Sequence, residues 1–283
     1  MISVLKKYIY NNSFFKLMIL FLFVGTLANA NENANAPKRI IALSPAIVEL
    51  MYTLGFENKI VGASEFADFP EAAKKIPVVG PYTKPSLERI VQLKPDLVLI
   101  PIEGPADIKR RFDQLKIRYE VLSMRTLDEI GSTAKQIASL VGEADVGIKF
   151  EKNWSKQLIE SFSTKKVFTK SPHVLLEVEH SPLIIAGQMT FLHEILEKCG
   201  GENIFKDLKG YPRISKELLF NKKIDLILLA DHFSNEQTKT RALNNWKSFL
   251  PTKNTRLVVL SPDITTRPGP RLLEGIKIIC GAL

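Results

Sequence analysis

The chain has 283 residues, 45% hydrophobic and 24% charged, an ordinary globular composition with room for one large or two medium α/β domains. Its formal charge of +9 is scattered over the whole length with no basic stripe of interleaved aromatics. That argues against nucleic-acid binding and leaves the excess to solubility or to attraction for an anionic membrane or ligand.

The N-terminus reads as an export signal. Lys6, Lys7 and Lys16 form a basic region, Leu17 to Ala28 an apolar core too short to span a bilayer comfortably, and Ala28-Asn29-Ala30 a small-x-small cleavage site. A signal anchor is the competing reading. Removing residues 1–30 takes away three lysines and no acid, and no Cys near the cleavage site offers a lipid anchor. The expected product is a freely soluble, exported protein.

Residues 31–37 are a polar leader. Arg39 to Leu43 is a short buried-strand pattern, and Ser44-Pro45-Ala46 leads into a helix whose Ile47, Leu50, Met51 and Leu54 repeat at helical spacing before Gly55 stops it. Such a strand-to-helix turn leaves backbone N–H groups that suit an anion or a ligand carbonyl. Lys59 to Ala63 is the next strand. The loop that follows carries Phe66 and Phe69, each of which reads more readily as core than as ligand wall.

The most informative stretch comes next. Tyr82 to Ile100 (YTKPSLERIVQLKPDLVLI) returns 129 residues later as Tyr211 to Leu229 (YPRISKELLFNKKIDLILL). Without gaps the copies share Tyr82/Tyr211, Ser86/Ser215, Glu88/Glu217, Lys94/Lys223, Asp96/Asp225, Leu97/Leu226 and Leu99/Leu228. Each reads as a loop aromatic, a capping Ser, an acid suited to a helix N-terminus, a short helix, and an apolar strand of the kind a parallel sheet buries on both faces. Two copies imply two α/β lobes whose tyrosines face one another across a cleft.

After the first copy come a turn at Pro101 to Pro105, a helix at Ile108 to Leu115 and a strand at Tyr119 to Leu122. Apolar residues from Ile130 to Phe162 then recur at helical spacing, which predicts two helices broken near Gly142. The second, about 20 residues long, would span roughly 30 Å and act as a stiff rod between the lobes, so large domain closure is not expected. His173 to Val178 opens the second lobe, and a helix at Phe191 to Lys198 ends at Cys199-Gly200-Gly201. After the second copy come a polar loop (Asp231 to Asn235), a helix end (Trp246 to Leu250), a strand (Thr255 to Leu260), a stiff loop (Ser261 to Pro270) and a last helix. The expected divisions are a signal at 1–30, an N-terminal lobe at 31–126, a helical connector at 127–166 and a C-terminal lobe at 167–283.

Cys199 and Cys280 are the only cysteines. In an exported chain they form either a disulfide or two buried thiols. A disulfide closing about 80 residues would stabilise the fold by roughly 4–5 kcal/mol at most. The four histidines (His173, His180, His193, His232) share no metal-ligand spacing with Cys or acids. No GxGxxG, Walker, GxSxG or HExxH pattern occurs, so neither a nucleotide site nor a common hydrolase site has support.

RIIALSPAIVEL, PSLERIVQLKPDLVLI, LEKCGGENIFKD and the terminal PRLLEGIKIICGAL together resemble the periplasmic substrate-binding proteins of iron-chelate and cobalamin ABC importers. The CGGENIFKD element with the C-terminal Cys points to the cobalamin-binding side of that family. The resemblance covers nearly all of residues 38–283. It implies two Rossmann-like α/β lobes on a helical backbone, a Cys199–Cys280 disulfide, and a monomer that carries no cofactor of its own and does no chemistry. The transported ligand would be cobalamin or a related corrinoid, with haem or a ferric siderophore as the alternative.

On matching positions the resemblance implies a cleft lined by Pro45, Ala46, Phe69 and Tyr82 from the first lobe and by Ile184, Tyr211, Asp263 and Arg267 from the second. Glu88 and Glu217 match the acids by which such proteins dock on permease subunits. This chain departs from the cobalamin binders in having Tyr82 and Tyr211 where they have Trp. A phenol can ligate iron, which keeps the haem alternative open.

Overall fold

The computed structural model describes residues 36–163, 168–230, 233, 235–249 and 254–283; the expected signal at 1–30, the connector's end at 166 and His232 lie outside them. Ile40–Ala42 (β1), Ile60–Ala63 (β2), Leu97–Pro101 (β3) and Tyr119–Leu122 (β4) form a parallel sheet in the order β2-β1-β3-β4. Parallel neighbours need crossovers. They are supplied by α1 (Pro45–Thr53), α2 (Leu87–Gln92) and α3 (Ala106–Gln114).

The second lobe repeats the plan. His173–Glu179 (β5), Ile184–Ile185 (β6), Glu202–Asn203 (β7), Leu226–Leu229 (β8) and Arg256–Val259 (β9) form a sheet ordered β6-β5-β8-β9, with β7 beside β5 and only the β5–β6 pair antiparallel. Its helices are α6 (Phe191–Lys198), α7 (Glu236–Phe249), a single turn α8 (Pro262–Thr265) inside the expected stiff loop, and α9 (Leu272–Ala282).

The repeated aspartate explains why the two sheets begin alike. Asp96 accepts from the backbone N–H groups of Lys38 (2.8 Å) and Arg39 (3.0 Å), and its own amide donates to the Arg39 carbonyl. Asp225 accepts from the His173 N–H (2.9 Å), and its amide donates to the His173 carbonyl. Each carboxylate thus pins the start of the neighbouring central strand. The leucine that follows enters the ladder in the same place, Leu97 opposite Ile40 and Leu226 opposite Val174.

The helical half of the repeat is less faithful. Ser86 caps α2 by accepting the Arg89 N–H (3.3 Å), as expected. The second copy makes only a 3-10 stretch, Lys216–Leu219, with no bond from Ser215 to the helix amides. There the Glu217 carboxyl is held below its usual range, first by its own backbone N–H and then by the nearby Ser215 hydroxyl.

Between the lobes the chain forms the two helices expected, broken around Gly142, and they fold back on one another as a hairpin. Leu127–Leu140 (α4) carries a full capping box from Thr126 and Glu129, and Ala144–Ser161 (α5) packs back along it. Trp154 Nε1 donates to the Leu127 carbonyl (2.8 Å), and Lys135 pairs with Glu151 (2.9 Å). A Cβ at Gly147 would fall 2.6 Å from Lys135 Cα, so only glycine allows this approach. The second lobe grips the hairpin too: the Leu127 N–H donates to Glu194 of α6 (2.9 Å).

Packing makes the assembly stiff. Alternate residues of β3 face opposite sides: Val98 and Ile100 meet α2 and α3, while Leu97 and Leu99 join a core that runs on through α4, Trp154, Val174, Leu226 and α9. One hydrophobic core therefore serves both lobes, and parting them would expose it. The Cys199–Cys280 disulfide, with Cα atoms 5.0 Å apart, ties the end of α6 to α9.

Candidate ligand-binding cleft

In open parallel sheets, ligands sit in the crevice beyond the carboxyl ends of the strands. The loops leaving β1 to β5 end there and carry most of the residues of interest. Tyr82 lies on a loop closed by the Ser86 N–H to the Val79 carbonyl (2.7 Å) and tied to its neighbour by the Glu65 N–H to the Gly80 carbonyl (3.0 Å). Tyr211 lies on a loop laced to residues 185–188 by Ile185 N–H to Pro212 O, Gly187 N–H to Gly210 O and Gly210 N–H to Gln188 O. A Cβ at Gly187 would stand 2.1 Å from the Leu208 carbonyl, so this lacing needs glycine.

The tyrosine rings remain 43% (Tyr82) and 39% (Tyr211) exposed, yet desolvation raises both hydroxyls above the ordinary phenol range, Tyr211 the further. An open ring with a desolvated tip marks a concave wall. The second cause is charge from across the gap. Glu103 of the first lobe and Tyr82 itself act on Tyr211, with Arg125 opposing, while Glu103 and Glu179 of the second lobe act on Tyr82. The same carboxylate, Glu103, thus acts on both phenols, which puts the loops of Tyr82 and Tyr211 within electrostatic reach of one another. Glu103, Arg125 and Glu179 had no sequence signal, because loop residues carry no periodicity to betray which way they face.

Phe69 (43% exposed) and Phe66 (71%) are open, which corrects the expectation that they are core. Phe66 is also held at φ 63°, a backbone region few non-glycine residues occupy. Ile184 bridges Arg213 and so sits beside Tyr211, and Pro45 opens α1 half-buried. Asp263 meets Arg267 Nη2 at 2.7 Å.

Ala46 and Arg267 differ from the expected cleft lining. Ala46 is buried and lies close to Gly269 of the other lobe. Arg267 is also buried, with Nη1 2.6 Å from Asp68 and 3.5 Å from Glu49. Glu49, itself buried on α1, accepts two bonds from Arg271 (2.9 and 2.6 Å), whose guanidinium lies 3.9 Å from the centre of the Phe69 ring. This charge cluster joins the lobes and steadies Asp68, Phe69 and Asp263 at the cleft edge. Its sequence signal was available: an acid among the apolar positions of α1, which burial makes costly unless paired.

The contacts of His173, His180 and Trp246 lie within the fold. Glu177, buried in β5, accepts from Trp246 Nε1 (2.6 Å) and contacts His180 Nδ1 (3.0 Å), while His173 Nδ1 contacts Asp225 (2.9 Å). Among the described residues no cluster of His, Cys, Asp and Glu is placed to hold a metal, and no helix is long and apolar enough to cross a membrane. On the outer surface, Glu88 and Glu217 stand exposed in the first turn of their elements. Half-exposed apolar side chains lie close by in sequence, Val91 after Glu88 and Leu218 and Phe220 after Glu217.

Comparison with known proteins agrees with this architecture. The Vitamin B12-binding protein of Vibrio vulnificus (strain YJ016) is 28% identical over 252 residues, covering 86% of this chain and 89% of that protein. The crystal structure of the periplasmic vitamin B12-binding protein BtuF of Vibrio cholerae superposes with a TM-score of 0.73 at 25% identity, covering 87% of this chain and 96% of that one. A periplasmic heme-binding protein from Pseudomonas aeruginosa gives 0.76 at 26% identity, covering 87% and 92%. With the periplasmic binding protein model matching residues 40–259 of a two-lobed α/β chain, the protein belongs to the periplasmic binding protein family.

Proposed function

We propose that this protein captures cobalamin or a related corrinoid in the periplasm, between Tyr82 and Tyr211, and delivers it to the membrane permease of an ABC importer without transforming it. What supports the choice of ligand is the pair of exposed aromatic side chains on braced loops, Tyr82 and Tyr211, together with the likeness to vitamin B12-binding proteins. A phenol with a raised pKa stays protonated at neutral pH. It can stack on a ligand face and donate a hydrogen bond. A corrin presents apolar faces and amide-bearing edges, which open aromatic walls with a few polar groups suit.

Glu88 and Glu217, each with half-exposed apolar residues close by in sequence, would supply the surface that meets the permease. The haem reading keeps one support, the likeness to the heme-binding protein of Pseudomonas aeruginosa. Incubation with cyanocobalamin, haemin or a ferric siderophore followed by gel filtration tests the assignment. Cyanocobalamin is expected to co-elute at one per chain. Retention of haemin with a phenolate-to-iron charge-transfer band would move the assignment to haem, and turnover of any of the three would make the protein an enzyme.

A further inference from the structure

At the carboxyl end of the first sheet stands an ion pair that the family resemblance does not assign. Arg125 Nε donates to Glu103 Oε1 at 2.9 Å, and the two side chains remain 45% and 42% exposed. Both sit on turns at the carboxyl ends of adjacent strands, Glu103 after β3 and Arg125 after β4. Neither turn is free to drift. The Ile102 N–H donates to Leu122 O and the Gly104 N–H to Pro101 O, and a Cβ at Gly104 would meet Ile100 at 2.7 Å. The Arg125 N–H donates to Glu129 (2.7 Å), whose carboxylate also closes the capping box of α4.

An exposed ion pair adds little to stability, so stability does not account for such careful placement. We propose that Glu103 and Arg125 form one paired hydrogen-bonding site that reads the primary carboxamides on the edge of the bound ligand. A carboxamide carries an N–H donor and a carbonyl acceptor side by side. Glu103 Oε2 offers the acceptor and the Arg125 Nη groups the donors, and no other side chain among the described residues bonds these atoms. Both bonds are charge-assisted. A carboxylate in place of the amide would keep the bond from Arg125 but meet Glu103 as a like charge. The pair therefore selects amide over acid. Both turns leave the carboxyl ends of their strands, where ligands of open parallel sheets sit, and Glu103 acts on both phenols and Arg125 on Tyr211 from there.

This inference rests on the corrinoid reading, and the experiment separates the two. Dissociation constants are measured for wild type, Arg125→Ala and Glu103→Gln with cyanocobalamin and with each corrinoid in which one side-chain amide is hydrolysed to the acid. Wild type is expected to bind cyanocobalamin and reject at least one of the acids. Arg125→Ala should weaken cyanocobalamin binding roughly tenfold to a hundredfold, the worth of a lost charge-assisted bond. Glu103→Gln should readmit the rejected acid, a change in selectivity that a merely loosened fold would not produce. If wild type binds cyanocobalamin and both variants match it within about twofold for every ligand, the pair does not touch the ligand. If wild type binds no corrinoid, the functional reading itself falls and this inference with it.

Discussion

The two copies of the repeated segment diverge in a telling way. From Asp96 to Leu99 and from Asp225 to Leu228 they do the same thing: the aspartate grips the start of the neighbouring strand and the leucines enter the ladder in equivalent register. From Ser86 and Ser215 onward they part, one into an α-helix and the other into four residues of 3-10 helix. The strand half is bound on both edges and both faces, so a changed residue there disturbs hydrogen bonds and core at once. The helical half lies at the surface and tolerates drift. Two pairs persist through the drift, Ser86/Ser215 and Glu88/Glu217, and of these only the glutamates are exposed in both copies.

That contrast yields the largest expected effect. A four-residue 3-10 stretch has almost no dipole for Glu217 to complement, so the dipole account that suffices for Glu88 does not extend to its partner. The double variant Glu88→Ala/Glu217→Ala is expected to lower ligand-dependent stimulation of the cognate transporter at least about tenfold, the cost of losing two desolvated charge contacts. Its affinity for cobalamin should stay unchanged. If stimulation persists in the double variant, the acids are no more than local helix partners.

The tyrosines separate the copies next. Tyr211 is the more desolvated, so Tyr211→Ala should weaken cobalamin roughly thirtyfold, in the range of an aromatic hot spot, and Tyr82→Ala less. Phe at either position should recover most of the loss if stacking dominates. Because both pKa values are raised, the phenols remain neutral across pH 6–9 and affinity over that range should be flat. A binding curve that rises through this window would mean a phenolate is forming on the ligand.

Asp225 offers a smaller, signed effect. Burial works against its ionisation, yet bonds from the His173 backbone and ring and from Lys223 hold its pKa down to about 2. A carboxyl depressed in the folded state contributes stability above its unfolded pKa of about 3.9 and loses it as pH falls toward 2. With its side chain 34% exposed, solvent screening leaves about 1 kcal/mol of this. Asp225→Asn should therefore unfold more easily in urea at pH 7 by that amount, and the gap should close by about pH 2. A gap independent of pH would assign the loss to packing.

These contrasts also mark what the sequence could reveal. The strands, the two-lobed plan, the loop tyrosines and the disulfide candidates were legible because burial imposes hydrophobic runs and because a repeat doubles every signal. The connector was legible as two helices, but its fold-back was not. A glycine at 147 that lets helices touch looks like any other glycine until its neighbour, Lys135, is known. Glu103 and Arg125 were invisible because their pairing joins two separate loops. Arg267 misled for the opposite reason: its position matched a cleft residue, while Glu49 and Asp68, distant in sequence, draw it into the lobe junction.

The smallest effect isolates the drift itself. Ser86 accepts a helix amide, so Ser86→Ala should cost about 1 kcal/mol, the usual loss for a hydroxyl cap. Ser215 makes no cap bond and stands exposed at the start of a 3-10 stretch, so Ser215→Ala should stay within about 0.5 kcal/mol of wild type. Denaturant midpoints at constant slope would resolve the pair. Equal losses would mean that Ser215 still caps in solution and that the second copy keeps a helix after all. Persistence of Glu217 would then again have a folding explanation, and the case for docking would rest on transport alone.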